Sequence, residues 1–174
     1  KFIDLGGGMG ISYSKKEKQI NLEEYAKLVN KFIKNKDSKI IFEPGRFIIG
    51  NTAILITKII YIKKSNNKNF IILDAGMNDL MRPALYDAYH KIIPVKKNSS
   101  QMLKNVEFVG PVCESSDKFL SQKKFSKIAE GDYVAITDVG AYGMSLTSNY
   151  NSRPIIAEIM VIGSKHRLIK KRQS

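Results

Sequence analysis

The chain contains several short runs in which glycines or charged residues directly follow an apolar, strand-like segment. Residues 6–10 (GGGMG) follow the apolar run 2–5, and consecutive glycines let backbone N–H groups approach an anion such as a phosphate closely. The spacing matches neither a P-loop nor a dinucleotide-binding fingerprint, because no Gly-Lys-Ser/Thr follows and the next helix begins about ten residues later. This run alone leaves a phosphate cradle and a tight turn equally open.

A second run, residues 43–46 (EPGR), combines a carboxylate, a rigid bend and a guanidinium. Glu43 is suited to pair with a cationic ring nitrogen, and Arg46 is suited to bind an anionic group nearby. The alternative is an ordinary surface turn that carries an ion pair. We expect a binding site, because loops that follow two consecutive parallel strands converge on one edge of a sheet.

The single cysteine lies in a polar and conformationally restricted run, residues 110–117 (GPVCESSD). A lone cysteine is usually a small core residue. Cys113 is instead followed by the acid Glu114 and by two serine hydroxyls, a setting that favours a reactive or proton-donating thiol.

Two long, non-repetitive loops carry arginine and tyrosine side chains that are suited to bind an anionic ligand. Residues 74–90 contain Arg82 and Tyr86, and residues 138–143 contain Tyr142. We expect His90, at the end of the first loop, to be structural rather than a catalytic base.

The secondary structure that positions these runs changes in character near residue 50. A buried strand over residues 2–5, a helix from its N-cap Asn21 through Lys34 and a buried strand over residues 39–42 form a βαβ unit. Beyond it, a hairpin turn is expected at residues 65–68, and strands are predicted over residues 54–63, 69–74, 106–109, 133–137, 155–161 and 167–169. We therefore predict an α/β part, residues 1–50, and an antiparallel β-domain, residues 51–174.

Composition excludes several classes of protein. The 174 residues carry a formal net charge of +13, but the 24 lysines and 5 arginines are scattered. They lack the arginine forks and interleaved aromatics of a nucleic-acid-binding surface, so we expect solvated surface. One cysteine excludes an intramolecular disulfide and indicates a reducing, cytoplasmic setting. The longest apolar run, residues 54–62, is too short to span a bilayer.

Together these runs resemble the motifs of diaminopimelate decarboxylases, which are pyridoxal-phosphate enzymes with a barrel domain followed by a β-domain. The resemblance covers essentially the whole chain and rests on residues 4–8 (DLGGG), 43–46 (EPGR), 74–79 (DAGMND), 82–86 (RPALY), 113–117 (CESSD), 140–143 (GAYG) and 148–154 (SNYNSRP). Ornithine and arginine decarboxylases are similar in the first two motifs, whereas CESSD with RPALY upstream favours the diaminopimelate enzymes. The resemblance implies that the α/β part is the end of a TIM-type barrel and that the β-domain is a Greek-key, barrel-like sandwich.

The same resemblance implies roles for the candidate residues. Glu43 would pair with the pyridine nitrogen, Glu114 would meet the distal ammonium of the substrate, and Cys113 would return a proton to the α-carbon across a homodimer interface. The implied cofactor contacts are Gly6, Gly7, Gly8, Glu43, Gly45, Arg46 and Tyr142. The implied substrate contacts are Arg46, Arg82, Tyr86, Glu114 and Tyr142.

The family's Schiff-base lysine lies in early barrel strands, and none of the 24 lysines here stands in a matching motif. We therefore expect a C-terminal fragment that is inactive alone. The implied activity of the complete enzyme is conversion of meso-diaminopimelate to L-lysine and carbon dioxide. Two alternatives stay open: a decarboxylase for another basic amino acid such as ornithine or arginine, and a non-catalytic basic nucleic-acid-binding module.

Overall fold

The computed structural model describes residues 1–14, 17–96 and 100–173; Ser174, the last residue of the predicted β-domain, lies outside them. The chain begins with a βαβ unit. Strands β1 (Phe2–Asp4) and β2 (Lys39–Ile41) pair in parallel as a two-stranded sheet, and helix α1 (Leu22–Ile33) connects them. This confirms the predicted order of strand, helix and strand.

Helix α1 begins where the sequence predicts. The Asn21 side chain accepts hydrogen bonds from the backbone amides of Glu23 (3.1 Å) and Glu24 (3.2 Å), so it satisfies two donors of the first turn. Tyr25 of the helix contacts Phe42, just beyond β2, with ring centroids 6.0 Å apart. This contact holds α1 against the end of the strand.

The prediction that both strands of this unit are buried is wrong for the described chain. Phe2 of β1 is 70% exposed, Ile41 of β2 is 41% exposed, and Leu28 on the apolar face of α1 is 66% exposed. Within the described residues the unit has no second layer to cover these apolar side chains. Apolar patterning correctly identified the elements, whereas burial depends on what packs against them.

The rest of the chain is mostly strand. In order along the sequence it forms α2 (Gly45–Ile49), β3 (Leu55–Ser65), β4 (Lys68–Leu73), α3 (Arg82–Tyr86), β5 (Ile92–Pro94), β6 (Met102–Val109), β7 (Lys118–Ser126), β8 (Tyr133–Ile136), β9 (Glu158–Ile162) and β10 (Lys165–Lys170). Six of the strands form one sheet in the order β5-β8-β3-β4-β6-β7, and β9 and β10 form a separate hairpin. The predicted hairpin turn at residues 65–68 is confirmed by the pairing of Ser65 with Lys68.

The six-stranded sheet departs from the prediction in two ways. Strands β4 and β6 pair in parallel, so the domain is mixed rather than purely antiparallel. Strands β5 and β7 were not predicted at all. The core lies on this sheet, with Phe108 of β6 packed edge-to-face on Phe125 of β7 at 4.9 Å between ring centroids.

The segment after β8 packs tightly on the segment after β2. The Gly140 amide donates to the Gly50 carbonyl at 3.0 Å, and the Val139 amide donates to the Ala53 carbonyl at 3.1 Å. A Cβ atom on Gly140 would lie 1.8 Å from the Ile49 carbonyl oxygen, so only glycine permits this approach. The junction lies close to the predicted boundary at residue 50, which stays a prediction.

Candidate functional site

The glycine loop and the EPGR loop are in direct contact, as the parallel strands predict. The Gly6 amide donates to Asp4 Oδ1, and the Glu43 amide donates to the Gly6 carbonyl, both at 2.8 Å. A Cβ atom on Gly7 would lie 2.6 Å from the Glu43 carbonyl oxygen. The two loops therefore depend on a glycine at position 7 for their close approach.

The glycine loop has the features of an anion cradle. Gly6 and Gly8 have left-handed φ values of +66° and +80°, which favour glycine. Within residues 1–14, 17–96 and 100–173, the backbone amides of Gly7 and Gly8 donate to no protein acceptor. A Cβ atom on Gly8 would meet nothing within 4 Å, so space is open beside these donors. Consecutive free amides next to open space fit a phosphate group.

Arg46 and Tyr142 lie together beside these loops. The Arg46 guanidinium carbon is 5.6 Å from the centroid of the Tyr142 ring, which is a cation–π contact between two exposed side chains. Gly45 is the first residue of α2 and follows Glu43 and Pro44 directly. Tyr142 has a left-handed φ of +60°, a rare conformation for a bulky residue. The structure thus brings most of the predicted cofactor contacts to one side of the βαβ unit.

Arg82, a predicted substrate contact, is buried rather than exposed. Its Nη1–H donates to His90 Nε2 at 3.0 Å, and its guanidinium carbon lies 4.8 Å from the centroid of the Tyr13 ring. Tyr86, at the other end of α3, is 64% exposed. His90 is buried, and its second partner is the Thr137 carbonyl, 2.9 Å from Nδ1. Sequence reasoning identified neither Arg82 nor Thr137 as a partner of His90.

Cys113 and Glu114 lie in the loop between β6 and β7. Both are exposed and the thiol is free. Their loop is held from below by Asp117, whose carboxylate accepts from the amides of Val112 and Met77, each at 2.7 Å. Burial raises the pKa of Asp117, although these amides and Arg153 act against the rise. The sequence analysis named Asp117 only as part of a motif and missed this anchoring function.

Arg153 ties the same region together. Its Nε–H donates to Asn78 Oδ1 at 3.0 Å, its Nη2–H donates to the Asp74 carbonyl, and Nη2 lies 3.6 Å from Asp79 Oδ2. Asn78 and Asp79 are buried. Arginine is scarce in this lysine-rich sequence, and its planar guanidinium is suited to a defined geometry, but neither fact indicates which partners Arg153 has.

Among the described residues, no hydrogen bond, ion pair or ring contact joins Cys113 or Glu114 to Arg46 or Tyr142.

No helix in the part of the chain that the structure describes combines the length and the apolar character needed to cross a membrane.

Comparison with known proteins assigns the chain to a family. The profile of one family, described as the C-terminal sheet domain of pyridoxal-dependent decarboxylases, matches residues 12–140. The chain therefore belongs to this family of decarboxylases.

The similar proteins narrow the class further. Diaminopimelate decarboxylase from Aquifex aeolicus is 42% identical over 174 residues, which is 100% of this chain and 41% of that protein. A crystal structure of diaminopimelate decarboxylase from Helicobacter pylori complexed with L-lysine has a TM-score of 0.92 at 45% identity, and the match covers 100% of this chain and 42% of that one. A lysine/ornithine decarboxylase from Vibrio vulnificus, complexed with cadaverine, shares the fold with a TM-score of 0.75 at 20% identity over 86% of this chain and 40% of that one. The chain thus spans about two fifths of the length of these relatives.

Proposed function

We propose that this chain is the C-terminal part of a diaminopimelate decarboxylase, which converts meso-diaminopimelate to L-lysine and carbon dioxide in the cytoplasm. The observation that carries the proposal is 42% identity to the Aquifex aeolicus enzyme over all 174 residues, with a comparable match to the Helicobacter pylori structure. In this proposal residues 1–50 are the last units of a TIM-type barrel, whose earlier strands supply the Schiff-base lysine. Their exposed apolar side chains, such as Phe2 and Leu28, are in keeping with a domain that continues beyond them.

In the proposal, pyridoxal phosphate is the cofactor and the glycine loop holds its phosphate. Gly7 and Gly8 offer the free amides and the open space described above, Gly6 belongs to the same loop, and Gly45 and Arg46 lie beside them. The Tyr142 hydroxyl adds a phosphate contact, and the Glu43 carboxylate pairs with the pyridine nitrogen and keeps it protonated. When bound, the cofactor supplies an electron sink for the electrons of the bond that releases carbon dioxide.

Arginines and acids bind the two ends of the proposed substrate. Arg46, Arg82 and Tyr86 meet its carboxylates and distal end, because guanidinium groups form paired hydrogen bonds to carboxylates. Meso-diaminopimelate has a second carboxylate that lysine and ornithine lack, so two arginines favour it. Glu114 binds the distal ammonium group, and the Cys113 Sγ–H donates a proton to the α-carbon after decarboxylation.

We further propose a homodimer in which Cys113 and Glu114 complete the site of the partner subunit. Among the described residues of one chain, no hydrogen bond, ion pair or ring contact joins Cys113 or Glu114 to Arg46 or Tyr142, which supports this arrangement. In the complete decarboxylase, meaning this chain joined to the proposed barrel domain, mixing Cys113→Ala subunits with subunits that lack the Schiff-base lysine should restore part of the activity. No recovery despite proven subunit exchange would contradict the shared site.

The substrate is tested by carbon dioxide release from meso-diaminopimelate, ornithine and arginine by the complete decarboxylase. We expect kcat/KM for meso-diaminopimelate to exceed that for ornithine by about 10²-fold or more, since the unused carboxylate contact costs a few kcal/mol. Arg82→Ala should lower kcat/KM for meso-diaminopimelate by a similar factor. Arg167→Ala, on exposed β10, is the matched control and should have no effect. Equal turnover of ornithine would refute the proposed substrate.

A further inference from the structure

Among the described residues, His90 is the one hydrogen-bond acceptor of the Arg82 guanidinium. Arg82 Nη1 lies 3.0 Å from His90 Nε2, and His90 Nδ1 lies 2.9 Å from the Thr137 carbonyl oxygen. No other hydrogen bond of this guanidinium is found among the described residues, although it carries five N–H donors. Arg82 is 6% exposed and His90 is 1% exposed, so both groups are held inside the fold.

The two partners of His90 determine its tautomer. A carbonyl oxygen can only accept a hydrogen bond, so Nδ1 carries the ring proton and donates it to Thr137. A guanidinium can only donate, so Nε2 must be unprotonated in order to accept from Arg82. His90 therefore connects the end of β8 to α3 only as the neutral Nδ1–H form.

The Tyr13 ring contacts both the Arg82 guanidinium and the His90 imidazole. Its ring lies edge-on to His90, with centroids 5.3 Å apart and an interplanar angle of 76°, and Arg82 stands 4.8 Å from its centroid. The long arginine side chain has many rotatable bonds, and ordering them costs conformational entropy. Because His90 and Tyr13 confine Arg82 before any ligand arrives, a carboxylate that binds the remaining donors does not have to order it.

We propose that His90 is a positioning residue, whose neutral Nδ1–H tautomer fixes the Arg82 guanidinium for the substrate carboxylate and whose protonation at Nε2 releases it. The inference rests on the proposed function, in which Arg82 contacts the substrate. It assigns a role in substrate binding to a buried histidine that does not itself touch the substrate. Protonated Nε2 would present a donor to a donor and a cation to a cation, so the arrangement has two distinct states.

The groups that face His90 determine when it is neutral. Burial lowers the pKa of His90 below its usual 6.5, and Arg82 of α3 lowers it further. The Thr137 carbonyl and the Asp138 carboxylate, both after β8, act in the opposite direction, and Tyr13 contributes its ring edge. His90 is therefore neutral at neutral pH, and any loss of substrate binding through its protonation must appear below pH 6.5.

A pair of substitutions separates the two hydrogen bonds of His90. In His90→Gln, the amide oxygen stands near the position of Nε2 and can still accept from Arg82. In His90→Asn, the amide nitrogen stands near the position of Nδ1 and can still donate to Thr137. A purely structural role predicts similar kinetics for both variants, whereas the positioning role predicts a difference in KM.

The kinetic test uses the complete decarboxylase with meso-diaminopimelate at pH 7.5. We expect His90→Asn to raise KM about tenfold with kcat within about threefold of the wild type, because it removes binding that is equal in ground and transition states. His90→Gln should stay within about threefold of the wild type in both parameters, and so should His166→Asn on exposed β10. In the wild type kcat/KM should fall below pH 6.5, and His90→Gln should lack this acid limb. Equal KM values for the Gln and Asn variants, or an unchanged acid limb in His90→Gln, would overturn the proposal.

A spectroscopic test on the chain itself separates failure of this inference from failure of the proposed function. Long-range ¹H–¹⁵N spectra distinguish the two ring nitrogens, and His166 serves as the internal reference. We expect His90 to show a protonated Nδ1 and an unprotonated Nε2 at neutral pH. A protonated Nε2 would refute the positioning geometry whatever the substrate. The expected tautomer together with no turnover of meso-diaminopimelate would instead refute the proposed function.

Discussion

Replacement of Arg153 by methionine tests the buried polar cluster beneath the Cys113 loop. Methionine has a similar length, so it preserves much of the volume while every donor is lost. Asn78 Oδ1 then stays buried without the donor at 3.0 Å, at a cost of about 1–3 kcal/mol. Asp79 loses its cation at 3.6 Å, but Arg153 is 28% exposed, so this second loss is smaller than for a fully buried pair. We expect the free energy of unfolding to fall by about 3 kcal/mol in total.

The loss should depend on pH in a defined direction. Burial raises the pKa of both Asp79 and Asp117, and Arg153 lowers the pKa of both. Without Arg153, the pKa values of Asp79 and Asp117 rise further above the usual 3.8. Between pH 3.8 and these raised pKa values, the folded state then binds more protons than the unfolded state. Stability of the variant then falls as pH rises through this window. The deficit should be larger at pH 7 than at about pH 4.5.

The measurement is urea unfolding followed by far-UV circular dichroism at the two pH values. Arg167→Met, at an exposed position of β10, is the matched control and should change stability by less than about 0.5 kcal/mol. In an Asp79→Asn background the effect of Arg153→Met should shrink by about 1 kcal/mol, because residue 79 then has no charge that loses its ion pair. The reasoning is refuted by a deficit that is equal at both pH values and in both backgrounds, or by one no larger than that of Arg167→Met.

Three further predictions concern other parts of the chain. Gly140→Ala should lower stability by about 2 kcal/mol, measured by calorimetry, because its Cβ would lie 1.8 Å from the Ile49 carbonyl oxygen. Cys113→Ala in the complete decarboxylase should slow product formation by about 10²-fold or more at nearly unchanged cofactor binding, and serine should rescue poorly because a hydroxyl is a far weaker acid. Burial tends to raise the pKa of Glu107, but the two lysines paired with it have the larger effect and lower this pKa below 4.5. The ionised Glu107 carboxylate therefore stabilises the folded state, and this stability is lost as the carboxylate is protonated at acid pH. Acid titration of the wild type and Glu107→Gln should show this loss in the wild type alone.

Each of these predictions has an outcome that contradicts it. Gly10→Ala is the control for Gly140→Ala, because a Cβ atom on residue 10 would meet nothing within 4 Å. Equal stability of the two alanine variants would count against the close approach at Gly140. Full activity of Cys113→Ala would remove the thiol from the proton-donor role. Parallel acid titrations of the wild type and Glu107→Gln would show that the ion pairs of Glu107 do not stabilise the fold.

Local signals in the sequence predicted local structure well. The N-cap of α1 is a single side chain that bonds amides two and three residues away, and the turn at residues 65–68 brings adjacent strands together. Strand β7 was missed because Phe119 and Phe125 are the buried residues of a segment otherwise rich in Lys, Ser and Gln. Its alternation is therefore weak in the sequence, and pairing with β6 determines its conformation.

The arrangement around Arg82 shows why the candidate site was only partly predictable. The residue type and its motif predicted that Arg82 binds a ligand, because the planar guanidinium group presents its hydrogen-bond donors in a fixed geometry. Its acceptor His90 is eight residues away, and Thr137, which determines the tautomer of that histidine, is a further 47 residues along the chain. No periodicity or spacing encodes which carbonyl will stand beside an imidazole, because that depends on how β8 pairs with β3 and β5. The sequence therefore specified the chemical groups, and the sheet register assembled them: a shift of one residue along β8 would turn its side chains to the opposite face and displace the Thr137 carbonyl, which fixes the tautomer of His90 and so holds Arg82 in place.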